Sequence, residues 1–339
     1  MLSENRSHPL AVELPVEPNY RVTVTAPARL HMGFLDAGGS LGRKYGSIGV
    51  GINEIVTRLT LVRADGPSAT GPGADRALAM AEEFGRAVGR SCPAAIHIGQ
   101  AIPGHSGLGS GTQLGLAVGV GLSRLYGLGL AVRDVAARLE RGARSGIGIA
   151  VFEDGGLVVD GGRGERTVVP PVLVRLKMPA AWRFLLVLDH RDQGLHGKAE
   201  MEAFQDLPVF PAEEAARLCH RLLMQGLPAV AEGDIRSFGA AITELQRAVG
   251  DHFAPAQGGR FASRDVAEAL DFLASRGAVG IGQSSWGPTG FCLLERPEPA
   301  ETLLAKVRER FGHRSGLEFL MGTARNQGAE IVVQSPDPK

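Results

Sequence analysis

Cysteine is scarce in this chain. The three present, Cys92, Cys219 and Cys292, are odd in number, far apart and without CxxC spacing. That argues against a disulfide framework and against a thiolate metal site, and it fits a reducing cytosol. Net charge is missing as well: 36 Lys and Arg balance 36 Asp and Glu. No overall field draws the chain to nucleic acid or to an anionic membrane, so any anion site has to be local. No apolar run is long enough to span a bilayer, and the one near 114–132 is broken by Arg124. Residues 1–19 hold no apolar segment flanked by basic residues, which predicts a loose N-terminal arm and a cytoplasmic protein.

Glycine, by contrast, is plentiful, at 47 of 339 residues. A chain of this length forms two domains more readily than one. Alternating β-branched stretches, "YRVTVTAP", "RLHMGFLD", "SIGVGI" and "IVTRLTLVRA", read as strands separated by turns. A helix is expected over 74–88, a strand at "AAIHIG", and a second helix from about Thr112. "GIGIAVF" reads as a strand, and the paired prolines of "TVVPPVLVRLKMP" suggest a boundary near residue 170, dividing 20–170 from 171–339. Helical patterns over 212–224, 228–249, 263–276 and 298–311 mix with strands "RFLLVLD", "AVGIGQ", "GFCLLE" and "AEIVVQ". The mixture predicts an α+β fold with a ferredoxin-like second half.

Three glycine-rich turns carry the chemistry. In "IPGHSGLGSGTQL", at 102–114, four glycines lie between an apolar strand and an apolar helix. The loop lacks the Gly-Lys-Ser/Thr ending of a P-loop and misses GxGxxG spacing. Backbone N–H groups free of Cβ crowding, followed by the positive end of a helix, nevertheless suit an anion. Gly104, Ser106, Gly107, Gly109, Ser110, Gly111 and Thr112 are the candidate phosphate-binding residues, with packing of helix on strand as the competing reading. Arg144 and Ser145 open the second stretch, "RSGIGIAVFEDGG", and join that set. "GIGQSSWGPTGF", at 280–291, is the third, and contributes Gln283, Ser284, Ser285 and Trp286 as candidate substrate contacts.

"PARLHMGFLD", "IPGHSGLGSGTQLGLAVG" and "GIGQSSWGPTGF" resemble, in this order, the three motifs of the GHMP kinase superfamily, over about residues 20–335. The resemblance implies an N-terminal domain like ribosomal protein S5 domain 2, a ferredoxin-like C-terminal domain and substrates in the cleft between them. Many GHMP kinases carry a carboxylate about seven residues before the Gly155–Gly156 pair, and here that place is Gly148. Within the superfamily the chain is most similar to the β-ribofuranosylaminobenzene 5′-phosphate synthases of tetrahydromethanopterin biosynthesis, in "RLHMGFLD", "RSGIGIAVFEDGGLVVDGG", "GLHGKAEMEAF" and "GQSSWGPTGF". Those enzymes join 5-phosphoribosyl 1-diphosphate to 4-aminobenzoate, releasing diphosphate and carbon dioxide, without ATP as phosphoryl donor. Attack by the ring carbon that bears the carboxylate needs no base to remove a proton from carbon, which agrees with Gly148.

Arg29, His31, Asp36 and His196 are the candidate catalytic residues. Arg29 or His31 suits the 5′-phosphate or the benzoate carboxylate, whereas a strand-edge ion pair with Asp36 is the plainer alternative. In "DHRDQGLHGKAE", Asp189 and Glu200 are candidate ligands for the Mg²⁺ that accompanies a diphosphate, and Lys198 faces the anionic substrate. A solvated charged loop is the competing reading there. An ATP-dependent GHMP kinase, or a non-catalytic binding protein on the same scaffold, stays open, and the resemblance makes a homodimer plausible.

Overall fold

A computed structural model describes residues 20–191 and 207–335. The first pair of expected strands is one continuous strand, β1 (Arg21–Asp36), bulged at Pro27/Ala28 and again at His31/Gly33. The second pair is likewise fused into β2 (Tyr45–Arg63), antiparallel to β1. Two strands this long, bent by bulges, reach from one hydrophobic core into another. Val22, Val24 and Ala26 of β1 pack with Phe84, Leu116, Val118 and Phe152 in one core. Ala28, Leu30 and Met32, further along the same strand, pack with Phe184, Leu186 and Phe238 in the next.

The far half of β2 pairs with β4 (Ala94–Gln100), and β4 pairs in parallel with β3 (Ser68–Thr70). Its near half pairs with β5 (Leu157–Asp160), which is followed across the sheet by β6 (Val172–Leu176). Helices Ala74–Ala87 and Ser110–Leu125 cover this sheet, the second starting two residues before its expected position. "GIGIAVF" is not a strand but the start of a helix, Ile147–Asp154. Residues 147–152 are all buried, so no period separates the two alternatives in the sequence.

The second sheet has the order β10-β7-β9-β8, built from β7 (Arg183–Asp189), β8 (Val279–Gln283), β9 (Gly290–Leu294) and β10 (Leu317–Gly322). With the long helix Ile235–Gln257 between β7 and β8, and helix Pro297–Phe311 between β9 and β10, this is the ferredoxin-like arrangement. The last strand, β11 (Glu330–Gln334), returns to pair with β1. The sheets therefore divide the chain differently from the expected boundary at 170, because β6 and β11 both belong to the first sheet.

The expected helix at 228–249 is two helices. Asp234 interrupts the run, its carboxylate accepting hydrogen bonds from the N–H groups of Arg236 at 3.0 Å and Ser237 at 3.1 Å, and so caps the long helix. That helix meets β8 at Gly239, where a Cβ would lie 2.5 Å from Val279 Cβ and 2.9 Å from the Gly280 nitrogen. Helix propensity favours Ala over Gly by about 1 kcal/mol, but this overlap costs about 1–3 kcal/mol. Gly239→Ala is expected to lower stability, read as an earlier urea midpoint. A later midpoint would mean that the helix moves away from the sheet at little cost.

Candidate active site

The three glycine-rich turns meet at one place. Along the second half of β1, the residues between the core-facing ones turn Arg29 and His31 toward the loop at 103–112 and the turn at 284–287. The Gly107 carbonyl accepts from Arg29 Nη1 at 2.5 Å and from the Ser284 hydroxyl at 2.7 Å. Ser284 Oγ in turn accepts from the His31 N–H at 3.0 Å, and Ser285 N donates to the His31 carbonyl at 3.2 Å. Backbones touch as well: a Cβ on Gly287 would lie 2.2 Å from the Gly107 nitrogen. Gly107 and Gly109 hold φ of +79° and +81°, which only glycine adopts readily.

Around this junction lies a cleft of about 410 Å³. One wall is the loop and the start of the Ser110–Leu125 helix, whose Gly109 cap supplies no side-chain hydrogen bond. The first N–H groups of a helix have no intrahelical acceptor, so they present donors and the positive helix end. Arg29, Arg76, Arg141 and Arg144 line the cleft, with Glu140 the one carboxylate among the lining residues. The Arg76 guanidinium is close to the loop, 3.6 Å and 3.4 Å from a Cβ placed on Gly104 and Gly111. A chain with no net charge thus concentrates four cations on a few hundred cubic ångströms. The opposite wall is aromatic: Phe34 and Trp286 line the cleft, and Phe253 packs on Trp286 with ring centroids 4.4 Å apart.

Behind that wall is a narrow pocket of about 20 Å³, lined by His31, Phe34, Phe253, Trp286, Gln246 and Gln283 among others. His31 faces both spaces. Its ring is 2% exposed, lies 4.6 Å from the Phe34 ring and has no hydrogen-bond partner at Nε2 among the described residues. Burial, reinforced by the charges of Arg29 and Arg144, holds its pKa well below the ordinary histidine value, so the imidazole is neutral near pH 7.

Residues 75–156 match the GHMP kinases N terminal domain, and residues 227–313 match GHMP kinases C terminal. A β-ribofuranosylphenol 5′-phosphate synthase from Archaeoglobus fulgidus is 33% identical, over 91% of this chain and 98% of its own length. The chain belongs to the β-ribofuranosylphenol 5′-phosphate synthase family. A second synthase of that name, from Methanothermobacter thermautotrophicus, is 30% identical over the same shares of the two chains. The fold recurs in homoserine kinase from Cytophaga hutchinsonii, with a TM-score of 0.67 at 17% identity over 94% of this chain and 99% of that one. Mevalonate diphosphate decarboxylase from Staphylococcus aureus shares it too, with a TM-score of 0.65 at 13% identity over 93% and 98%.

In this member of the synthase family, the cleft gathers Arg29, His31, Gly107, Gly109, Ser110, Gly111, Thr112, Arg144, Ser145, Ser285 and Trp286 from the sequence-based set. Gln283 lines the narrow pocket instead. Several expectations are corrected. Asp36 takes no place in the cleft: its carboxylate accepts from the Gly39 N–H at 2.7 Å and the Ser40 N–H at 3.2 Å, closing a turn. Ser106 donates to the Pro103 carbonyl at 2.8 Å, inside its own loop. Ser284 is the buried clamp described above rather than a cleft-lining residue. Ser145 reaches the cleft, but its hydroxyl is engaged with the buried Asp160 carboxylate at 3.2 Å. Asp160 also accepts from Ser47 at 2.5 Å and from the Gly146 N–H at 2.8 Å, which pins the turn that carries Arg144. His196, Lys198 and Glu200 lie outside the described residues.

Arg76, Arg141 and Asp160 were missed. Nothing local distinguishes the two arginines from solvated helix residues, because tertiary packing alone brings them to the cleft. Asp160 did leave a signal, a carboxylate closing an apolar strand just before Gly161–Gly162.

Asp189, the expected metal ligand, is committed elsewhere. Burial by itself raises its carboxyl, but hydrogen bonds from Arg191 at 2.9 and 2.7 Å and from Ser263 at 2.7 Å prevail and hold it below the usual range. Asp189→Asn is expected to destabilise the fold by about 1–3 kcal/mol, seen as a lower melting temperature, while leaving the Mg²⁺ dependence of activity as it was. A shifted Mg²⁺ requirement at unchanged stability would restore the metal assignment.

Proposed function

We propose that this chain joins the ribosyl C1 of 5-phosphoribosyl 1-diphosphate to a para-substituted benzoate, releasing diphosphate and carbon dioxide and forming a C-riboside, without ATP. The observation that carries this reading is the pairing of a four-arginine cleft at an open helix N-terminus with an aromatic wall. A doubly phosphorylated sugar needs the first and an aromatic acid the second. The names of the relatives, which specify a ribofuranosylphenol 5′-phosphate, support the same reading. They carry a phenol where the resemblance seen in the sequence implied an aminobenzene, so the para substituent is a hydroxyl or an amine.

The arrangement suits the chemistry. As the C1–O bond breaks, diphosphate gathers charge that the helix N-terminus, Arg76 and Arg29 are placed to accept. The ring, held against Phe34 and Trp286, presents the carbon bearing its carboxylate to C1. Loss of carbon dioxide then restores aromaticity. At Gly148, the place of the kinase carboxylate, a Cβ would lie 3.1 Å from Thr112 Cγ2, and the backbone carbonyl accepts from Gln113 at 2.8 Å. A side chain at this position is tight against Thr112, which would have to give by a few tenths of an ångström, and Gly148 itself offers no base.

Magnesium is the expected companion of the diphosphate. Among the described residues no group of three or more His, Cys, Asp and Glu side chains stands together to hold it. Glu140 is the one carboxylate among the described residues that line the cleft. The described residues therefore form no protein cage for the ion, and no step is assigned to it.

The test supplies 5-phosphoribosyl 1-diphosphate, Mg²⁺ and 4-hydroxybenzoate or 4-aminobenzoate, and follows diphosphate and carboxyl-derived carbon dioxide in equal amounts. No turnover with either acid, together with phosphorylation of a small alcohol from ATP, would identify a kinase instead. Arg76→Met is expected to raise KM for the phosphoribosyl substrate about tenfold or more, the loss of one charged hydrogen bond. An unchanged KM would remove Arg76 from the phosphate site.

A further inference from the structure

The narrow pocket behind the aromatic wall has about 20 Å³, the room of one water. It is too small for a benzoate ring and the right size for a single polar substituent on one. Two side-chain amides close it: Gln246 Nε2 donates to the Met32 carbonyl at 2.6 Å and its Oε1 accepts from the Gln283 N–H at 2.8 Å, while Gln283 Oε1 accepts from the Ala262 N–H at 2.7 Å and its Nε2 donates to the Ser285 carbonyl at 3.1 Å. Both are occupied by the fold. The Nε2 atom of His31, by contrast, is buried at the boundary between pocket and cleft and has no hydrogen-bond partner among the described residues. A buried polar atom left in that state costs free energy unless a ligand satisfies it.

We propose that this pocket seats the para hydroxyl of the aromatic acid and that His31 takes its proton as the ring attacks the ribose. The inference rests on the synthase reading and gives that site its acceptor selectivity. A ring lying against Phe34 and Trp286 with its hydroxyl in the pocket directs the opposite carbon, the one bearing the carboxylate, into the cleft.

The step balances without a further reactant. The hydroxyl proton passes to Nε2, and the freed oxygen pair drives the opposite ring carbon onto ribosyl C1. A C–C bond forms while the C1–O bond breaks and diphosphate leaves with its electron pair. The intermediate is a cyclohexadienone that carries ribosyl and carboxylate on one carbon. Breaking the bond to the carboxylate returns a pair to the ring, carbon dioxide departs, and the oxygen recovers its proton from the imidazolium.

The charged groups facing His31 are Arg29 on its own strand, Arg144 from the turn before the Ile147–Asp154 helix, and, across the narrow pocket, Arg260, itself paired with Asp251 at 2.7 Å. Arg76, Arg141 and the titratable His105 also line the cleft, with Glu140 the lining carboxylate. Arginines accept no proton at any relevant pH. They keep the imidazole in its accepting form and also favour the phenoxide it generates. An amine in the same place needs no such help, because neutral nitrogen donates its pair to the ring more strongly than a neutral hydroxyl does and the iminium so formed need not lose a proton.

The test compares 4-hydroxybenzoate with 4-aminobenzoate in the wild type and in His31→Gln, with circular dichroism as the check on folding. General base removal costs about 10²–10⁴-fold, so the kcat loss with the hydroxy acid should exceed the loss with the amino acid by at least about tenfold. Turnover of the hydroxy acid by the variant should recover as pH rises toward the phenol's own ionisation near about 10. Equal losses with both acids, or no loss with either, would overturn the assignment while the synthase reading stands. Wild-type turnover of the amino acid alone would do the same. Turnover of neither acid by the wild type would remove both. Should the variant not fold, the wild-type pH profile decides: kcat/KM for the hydroxy acid must fall with one proton on the acid side of pH 6.5, the ordinary histidine value, and that for 4-aminobenzoate must not. Parallel profiles would overturn the role of His31.

Discussion

The site depends on one contact, the approach of the Gly107 backbone to the turn at 284–287. Three segments far apart in the chain, near residues 30, 107 and 285, meet at one carbonyl and one hydroxyl: Gly107 O accepts from Arg29 and Ser284, and Ser284 accepts from His31, with backbone bonds from Arg29 N to Leu108 O and from Ser285 N to His31 O beside them. Only glycine on both sides lets the backbones come this close, since either Cβ would meet backbone atoms at 2.1 or 2.2 Å. Everything that defines the cleft follows from it. The loop is fixed against β1, the helix N-terminus is aimed, and the aromatic wall is set opposite the arginines.

The contact also sets the electrostatics. Seating His31 beneath Arg29 and Arg144 denies it a charge, which changes the role that the sequence suggested for it. A histidine expected to pair with an anion is instead a neutral ring, buried beside the arginines that line the cleft. Burial penalises a charged imidazole, and two neighbouring cations add to the penalty. The same two arginines thus line the cleft and add to the burial that keeps the imidazole beside it uncharged.

How far the sequence carried depended on the kind of signal. Order and spacing of the glycine turns announced the superfamily, and the strand alternation in β1 placed Arg29 and His31 on one face. Ser110, Thr112, Ser285 and Trp286 likewise came out at the cleft. What failed was whatever depended on which partner a side chain takes, near in sequence or far. Asp189 looks like a ligand until Arg191 and Ser263 are seen on it, and Ser106 and Asp36 look like contacts until their own loops claim them. Arg76 and Arg141 gave no local sign at all, because helix packing rather than any pattern around them brings them to the phosphate wall. The helix at Ile147–Asp154 was misread as a strand since total burial erases periodicity.

The pairing of β11 with β1 sets Gln334 opposite Arg21. During synthesis this matters, because β1 leaves the ribosome well before β11 and cannot acquire its outer neighbour until residue 334 has been made. The first sheet therefore waits with an open edge while the ferredoxin-like portion forms, a contact of long loop closure that slows folding and exposes a strand to wrong partners. Two regions that look separable in sequence must finish folding together, because the last strand described completes the edge of the sheet to which the first belongs.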